Sequence, residues 1–499
     1  MGKTEELNGD LLHPLLAPLL EALRVDNLES RIRRSPLEAL DLSQIDDQCR
    51  HRLLDEMQEK LFEPTTMTLN LGTKLLRMIR RGYLARDPRQ LSVRRDGLAV
   101  ARLNGKKLTE LPWFNTYAKC MRISGETGTG KTYEVTNLLR LIPQVIVHRE
   151  NKEAGWAHFV QVPWLYVSMS HDGTLGGLLL SILVALDEVV GTQYSTRSSL
   201  TRMSNEKLAV QVGIILRVHA VGVLVIDEIQ ARNFTGAHGS LSALFFLRLL
   251  NLGIPLVLMG NPFGMSALDQ FSQDVRRTAT AGALDFEPYG VEEFDWANCI
   301  APRVWAYYVL PRPAAFADKD GTLLFQYSGG IRDYAFRVSI AAQRLALDLG
   351  DQALTEDHLE MAFLGEDFSD RERDLVRGFA LRDPIRLNGF VDVRVAHYAR
   401  KWGRLTTAES SQEVIDSRDT RTKKGAAENS NAKPVCYQHQ KEVAAAKRVA
   451  TQRKSESRRR ASAKAMCGEN DMRNDGLKNF LITGFDELRE LTSEEEQIQ

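Results

Sequence analysis

Between about residues 120 and 290, short apolar runs alternate with longer stretches whose apolar residues recur at three- and four-residue spacing. The runs are CMRISG, WLYVSMS, VGVLVIDE and IPLVLMGNP; between them stand KTYEVTNLLRLI, GGLLLSILVALDEVV and LSALFFLRLLN. A continuous apolar run of four or five residues suits a strand buried on both faces, and the longer periodic stretches suit amphipathic helices. Strand, helix, strand in regular alternation dictates a largely parallel sheet with helices on both sides. VIVHRENKEAGWAHFVQV interrupts this order and is expected to form a strand or hairpin excursion.

In an open sheet of this kind, ligands bind at the carboxyl ends of the strands. GETGTGKT, residues 125–132, follows the first apolar run and opens the first helical stretch, as the pattern G-x-x-x-x-G-K-[ST] requires. The backbone N–H groups of Gly125, Glu126, Thr127, Gly128, Thr129 and Gly130 can surround a β-phosphate, with the helix N-terminus behind them. Lys131 supplies charge to the β- and γ-phosphates, and Thr132 a hydroxyl to Mg²⁺. VLVIDEIQ, residues 223–230, ends its apolar run in two carboxylates. Asp227 suits the Mg²⁺ shell, because hard cations prefer oxygen ligands, and Glu228 suits the activation of an attacking water. Asn261 follows the next run and either senses the γ-phosphate or forms a turn with Pro262. Arg276 and Arg277 in QDVRRTATAGA are candidates for a charge donated to a neighbouring subunit's site. Arg332 in SGGIRDYAF opens a later helix from which it can reach the phosphates. ATP and Mg²⁺ are the expected ligands.

The flanks differ from this core. Residues 1–105 carry helical patterns, including TLNLGTKLLRMIRRGYLARDP with Lys74, Arg77, Arg80, Arg81 and Arg86, and are expected to form a helical partner-binding region. The expected boundaries are 106–290 for the α/β core and 291–403 for a small helical lid with its continuation. VEEFDWANCIAPRVWAYYVL and IRDYAFRVSIAAQRLALDL are its first helices. Residues 404–464 are predicted to stay unfolded when free: from Arg418 to Lys464 there are fourteen Lys or Arg against four acids, and few bulky apolar groups. Residues 465–499 reverse the sign, with nine acids against three bases, and GLKNFLITGFDELREL reads as a partner-docking peptide.

Composition bounds the rest. The 499 residues carry no net formal charge, and the five cysteines at 49, 120, 299, 436 and 467 include no Cys-x-x-Cys pair. That set argues against a disulfide framework and for a reducing compartment. No run is long enough to span a membrane. A soluble intracellular protein is expected.

Phosphate loop, acidic strand end, polar residue on the next strand, late arginines and helical lid together resemble an AAA+ ATPase. The ordered landmarks MIRRGYLARDP, MRISGETGTGKT, QVPWLYVSMSHDGTLGGLLLSIL, VLVIDEIQ, LVLMGNPFG and SGGIRDYAFRV, covering about 65–345, resemble the TnsC/TniB-type regulators of transposons. The larger members of that family are the better match, since both termini are extended. WLYVSMSHDG is less polar than the family's usual segment. The resemblance implies sensing roles for Asn261 and Arg332, and Arg276 or Arg277 acting in trans. It also implies ATP-dependent rings or helical filaments on double-stranded DNA. Such an assembly takes a signal from a target-selection protein or guide-RNA complex and passes it to transposase and endonuclease subunits. Hydrolysis then dismantles it, without DNA cleavage or joining by this chain. Arg197, Arg202 and Lys207 are candidate phosphate contacts. Two rival readings share the nucleotide motifs: a replication initiator or loader, and a STAND-type signalling scaffold.

Overall fold

The computed structural model describes residues 12–404 except 112–117, 171, 235, 271–277 and 313–314. Among the described residues seven strands form: β1 (Cys120–Gly125), β2 (Ile146–His148), β3 (Phe159–Gln161), β4 (Trp164–Ser168), β5 (Val223–Ile229), β6 (Leu256–Gly260) and β7 (Gly282–Phe286). β2 and β3 pair antiparallel on their own, which accounts for the excursion. The other five make one parallel sheet in the order β4-β5-β6-β1-β7. The chain runs outward from β1 to β4, returns through β5 and β6, then crosses β1 to reach β7. The switch point therefore falls at β1, where ligands of open α/β sheets collect.

The three inner strands, β5, β6 and β1, bury both faces. Leu224 and Ile226 of β5, with Leu256 and Leu258 of β6, pack against one helical layer; Val223, Val225, Val257 and Met259 pack against the other. The first layer contains α5 (Leu175–Val190), α6 (Asn205–Val218) and α7 (Gly236–Asn251). The second contains α2 (Thr66–Leu84) and α4 (Lys131–Leu139). At about 1.5–3 kcal/mol for each fully buried Val, Leu or Ile, these two layers dominate the folding free energy.

The N-terminal residues divide between two cores. Leu71, Leu75, Leu76, Ile79 and Tyr83 of α2 pack against the sheet, whereas Leu54 and Met57 of α1 (Asp47–Lys60) pack in the lid. α2 starts at a capping box, with Thr65 Oγ1 accepting from Thr68 N and Thr68 Oγ1 from Thr65 N. α3 (Leu91–Ala101) follows α2, and α8 (Pro262–Asp269) follows β6. The lid holds α9 (Asp318–Gln326), α10 (Arg332–Leu349), α11 (Glu356–Leu364), α12 (Asp370–Ala380) and α13 (Val395–Lys401) around Trp296, Phe325, Val338 and Phe379. The stretch expected as one helix from 291 to 310 is instead a π-helical turn, Trp296–Ile300, followed by Ala301–Ala306. Pro302 has no N–H for the carbonyl one turn back, so the ladder is re-registered there. Among the described residues no helix is long and apolar enough to cross a membrane.

Candidate nucleotide site

The phosphate loop joins β1 to α4, and two glycines fix its path. Gly125 has φ +157°, and a Cβ there would lie 2.3 Å from the Phe286 carbonyl oxygen of β7. Gly130, at φ +98°, turns the loop into α4, where other residues carry a steric penalty. Lys131 Nζ donates to the carbonyl oxygens of Gly125 and Glu126, both at 2.8 Å, and so folds back over the loop. Burial lowers its pKa; Asp227, Glu126, Asp285 and Asp392 act in the opposite direction.

Asp227 lies two residues before the end of β5, in a buried position, and its carboxylate accepts three bonds. Thr132 Oγ1 donates to Oδ2 at 2.6 Å, Tyr166 Oη donates to Oδ2 at 2.5 Å, and the Glu228 N–H donates to Oδ1 at 2.6 Å. Tyr166, on the neighbouring strand β4, keeps its proton: burial raises its pKa, and Asp227 beside it raises it further. This tyrosine was not singled out from the sequence. The only signal is register, since β4 pairs with β5 from Trp164 opposite Val223 to Ser168 opposite Asp227.

Glu228 solves a geometric problem. Successive strand residues face opposite ways, so two adjacent carboxylates in a regular strand could not share one pocket. Here the pairing of β5 with β6 shifts register between Ile226 and Ile229, and Glu228 adopts φ +59°. Bulges of this kind re-aim side chains, and a left-handed non-glycine residue marks a functional constraint. Both carboxylates line one cavity, of about 460 Å³, with Lys131, Thr132, Asn261 and Arg332.

Asn261 lies at the end of β6, between the strands that carry the loop and the acids. Its Oδ1 accepts from Gly264 N at 2.7 Å and caps α8, with Pro262 in the first turn. Turn formation and cavity lining are thus combined in one side chain.

Arg332 opens α10 but is not a surface residue, being 3 % exposed. Its guanidinium bonds the Glu134 carboxylate on α4 and, at 2.7 Å, the Glu63 carbonyl oxygen, and it packs over the rings of Phe62 and Tyr133. The adjacent Asp333 N–H donates to Gly128 O at 3.1 Å, so the lid helix starts on the phosphate loop itself. A second set of contacts comes from the end of the lid. Asp392 accepts from Thr127 Oγ1 at 3.0 Å, and Arg394 bonds Glu126 at 2.9 Å while also pairing with Asp285. The side chains of Glu126 and Thr127 are thereby committed to the lid, which their place in the motif did not disclose.

Arg276 and Arg277 lie outside the described residues, as do His171 and the segments 405–464 and 465–499. Arg197, Arg202 and Lys207 are exposed, and Arg197 stacks on Tyr194 with 4.8 Å between guanidinium and ring centroid.

The donor set fits Mg²⁺ with a triphosphate. Thr132 and Asp227 offer adjacent oxygens, and among the described residues no group of three or more His, Cys, Asp or Glu side chains could hold a metal by itself. Mg²⁺ commonly uses one or two protein oxygens, water and substrate phosphates, so this is the arrangement it needs.

Residues 115–268 match the AAA domain family. No curated protein matches the chain. Solved structures similar to it include the Aeropyrum pernix ORC2 protein in ADPNP–ADP complexes. That similarity has 15% identity, covers 70% of this chain and 84% of that one, and gives a TM-score of 0.35. The Aeropyrum pernix ORC1 protein in complex with DNA shares 17% identity over 54% of this chain and 64% of its own, at a TM-score of 0.34. The Thermotoga maritima RuvB Holliday junction branch migration motor shares 14% identity over 62% and 80%, at 0.29. These likenesses are remote. The family match, the β4-β5-β6-β1-β7 order and the loop–acid geometry agree: residues 115–268 are an AAA domain, and the chain has the fold of a P-loop AAA+ ATPase.

Proposed function

We propose that the chain is an ATP-hydrolysing regulator of DNA transposition. It assembles with ATP on double-stranded DNA, links a target-selection factor to the transposase, and leaves the DNA when ATP is hydrolysed. The observation that carries the ATPase reading is the convergence of Lys131, Thr132, Asp227, Glu228, Asn261 and Arg332 on one cavity. The transposition reading rests on the order of sequence landmarks from 65 to 345.

In this reading Lys131 leaves the loop carbonyls and turns to the β- and γ-phosphates. Thr132 and Asp227 hold Mg²⁺, with Tyr166 fixing the Asp227 carboxylate. Bound there, Mg²⁺ neutralises charge developing on the β- and γ-oxygens. Glu228 orients a water and accepts its proton as the water oxygen bonds the γ-phosphorus and the bond to the bridging oxygen breaks. Asn261 holds the same water or the γ-phosphate through its amide N–H₂. Arg332 exchanges Glu134 for phosphate, and one of Arg276 and Arg277 reaches a neighbouring protomer.

The test is electron microscopy with duplex DNA, comparing a slowly hydrolysed ATP analogue with ADP. Ordered rings or filaments with the analogue alone are expected, and Lys131→Ala should abolish them together with ATP binding. Removing residues 470–499 should spare ATPase activity and weaken transposase capture in a pull-down. Monomers under every condition would refute the assembly. Intact polymer without any transposase contact would favour an initiator or loader.

A further inference from the structure

The end of the lid meets the phosphate loop and the edge strand β7 across a seam of charges. Arg394, just ahead of α13, donates through Nε and Nη2 to Glu126 at 2.9 and 3.2 Å, and through Nη1 to Asp285 at 2.5 Å. His397 and Lys401 follow at helical spacing on the same face, and each meets Glu287 at 2.6 Å. In these pairs the lid supplies the cations and the core the acids. Asp392 breaks the pattern. It is a carboxylate contributed by the lid, and its hydrogen-bond partner is a neutral hydroxyl, Thr127 Oγ1, at 3.0 Å.

A carboxylate placed among carboxylates raises the energy of the folded chain through like-charge repulsion. That field is felt at the nucleotide cavity. Thr127 lines the cavity, and Asp392 is one of four acids, with Asp227, Glu126 and Asp285, that act on the Lys131 charge. The other three have their own partners: Asp227 accepts from Thr132 and Tyr166, and Arg394 neutralises Glu126 and Asp285. Asp392 brings a negative charge to the loop without a cation of its own. Such a charge opposes a polyphosphate, and opposes ATP more than ADP because ATP carries a further negative charge.

Resting on the reading of this cavity as an ATP site, we propose that Asp392 sets the preference between nucleotides. It competes with the triphosphate for the loop, releases Thr127 when ATP binds and returns when ADP remains, so the end of the lid responds to the γ-phosphate. Arg394 is the positioning residue that keeps Glu126 and Asp285 from adding to the same repulsion.

The test is a titration of full-length protein, with Mg²⁺, using fluorescent methylanthraniloyl forms of ADP and of the non-hydrolysed imido analogue of ATP. Asp392→Asn keeps an oxygen for the Thr127 hydroxyl and deletes only the charge. At low salt it should tighten the ATP analogue about three- to tenfold, and ADP less. The gain should vanish in 1 M salt, where the Debye length is about 3 Å. Arg394→Gln should do the reverse, weakening both nucleotides and the ATP analogue more, with Arg394→Lys restoring most of the loss. A purely structural contact would weaken binding in both variants. The proposal is overturned if Asp392→Asn weakens or fails to change the ATP analogue, if both nucleotides change equally, or if the gain survives high salt. Should that variant not fold, Arg394→Gln decides, and an equal loss of both nucleotides overturns the proposal. Binding indifferent to Lys131→Ala would remove the ATP reading itself, whereas Lys131-dependent binding indifferent to Asp392 removes this proposal alone.

Discussion

Arg332 and Arg86 are both buried arginines at the walls of cavities, yet their surroundings are opposite. Arg332 meets a carboxylate, a carbonyl and two aromatic faces, whereas Arg86 packs over the Tyr83 ring, donates only its Nε, to the Gly82 carbonyl, and leaves both terminal nitrogens without a hydrogen-bond partner. Around the nucleotide cavity most polar groups are paired internally, Arg332 Nε and Glu134 Oε2 excepted: Lys131 rests on loop carbonyls, Thr132 on Asp227, and Arg394 on Glu126. A site so arranged folds stably before its ligand arrives and must exchange internal bonds for external ones. Arg86 has no such internal substitute at its terminal nitrogens.

Glu228→Gln bears most on this contrast. Under the proposed function the water-activating acid is this exposed residue, so turnover should fall about 10²–10⁴-fold while the melting temperature holds. A steady-state phosphate-release assay checks it, and unchanged turnover would remove the acid from the chemistry. Glu134→Ala turns Arg332 into what Arg86 already is, a buried cation without a carboxylate. A loss of about 3–5 kcal/mol in denaturant unfolding is expected. No loss would mean that unpaired guanidinium is inexpensive in this fold, and the contrast would fail. Tyr166→Phe removes one of three donors to a buried carboxylate and should lower stability by about 1.5–3 kcal/mol in the same assay. Asn261→Ala should cost about 1 kcal/mol through the lost cap on α8. Asn261→Asp keeps the cap, so a fall in turnover with that variant would assign a further role to the amide.

Much of the core was legible because its signals are local. The β-α order, the Gly125–Thr132 loop and the acids at the end of β5 each follow from consecutive residues and a known strand geometry. What escaped depends on distant partners. Helical spacing in α2 declares an apolar face, but not that the face covers the sheet while α1 turns into the lid. Glu126 and Thr127 sit in a motif that assigns work to their backbone; their side chains answer to Asp392 and Arg394, more than 260 residues later. Tyr166 reaches Asp227 only through strand pairing. Arg86 sits in a basic stretch that, read along the chain, belongs to a partner-binding region. Its burial beside Trp156 is a fact of packing between segments 70 residues apart.

The left-handed backbone at Glu228 restricts that position independently of its charge. Valine, isoleucine or threonine there would collide with their own main chain, whatever their chemistry. Glycine alone escapes the penalty and would make the folded chain more robust by up to about 1 kcal/mol. A library sorted for solubility or heat tolerance would therefore drift toward glycine at 228 and fill with well-behaved molecules that, under the proposed function, are inert.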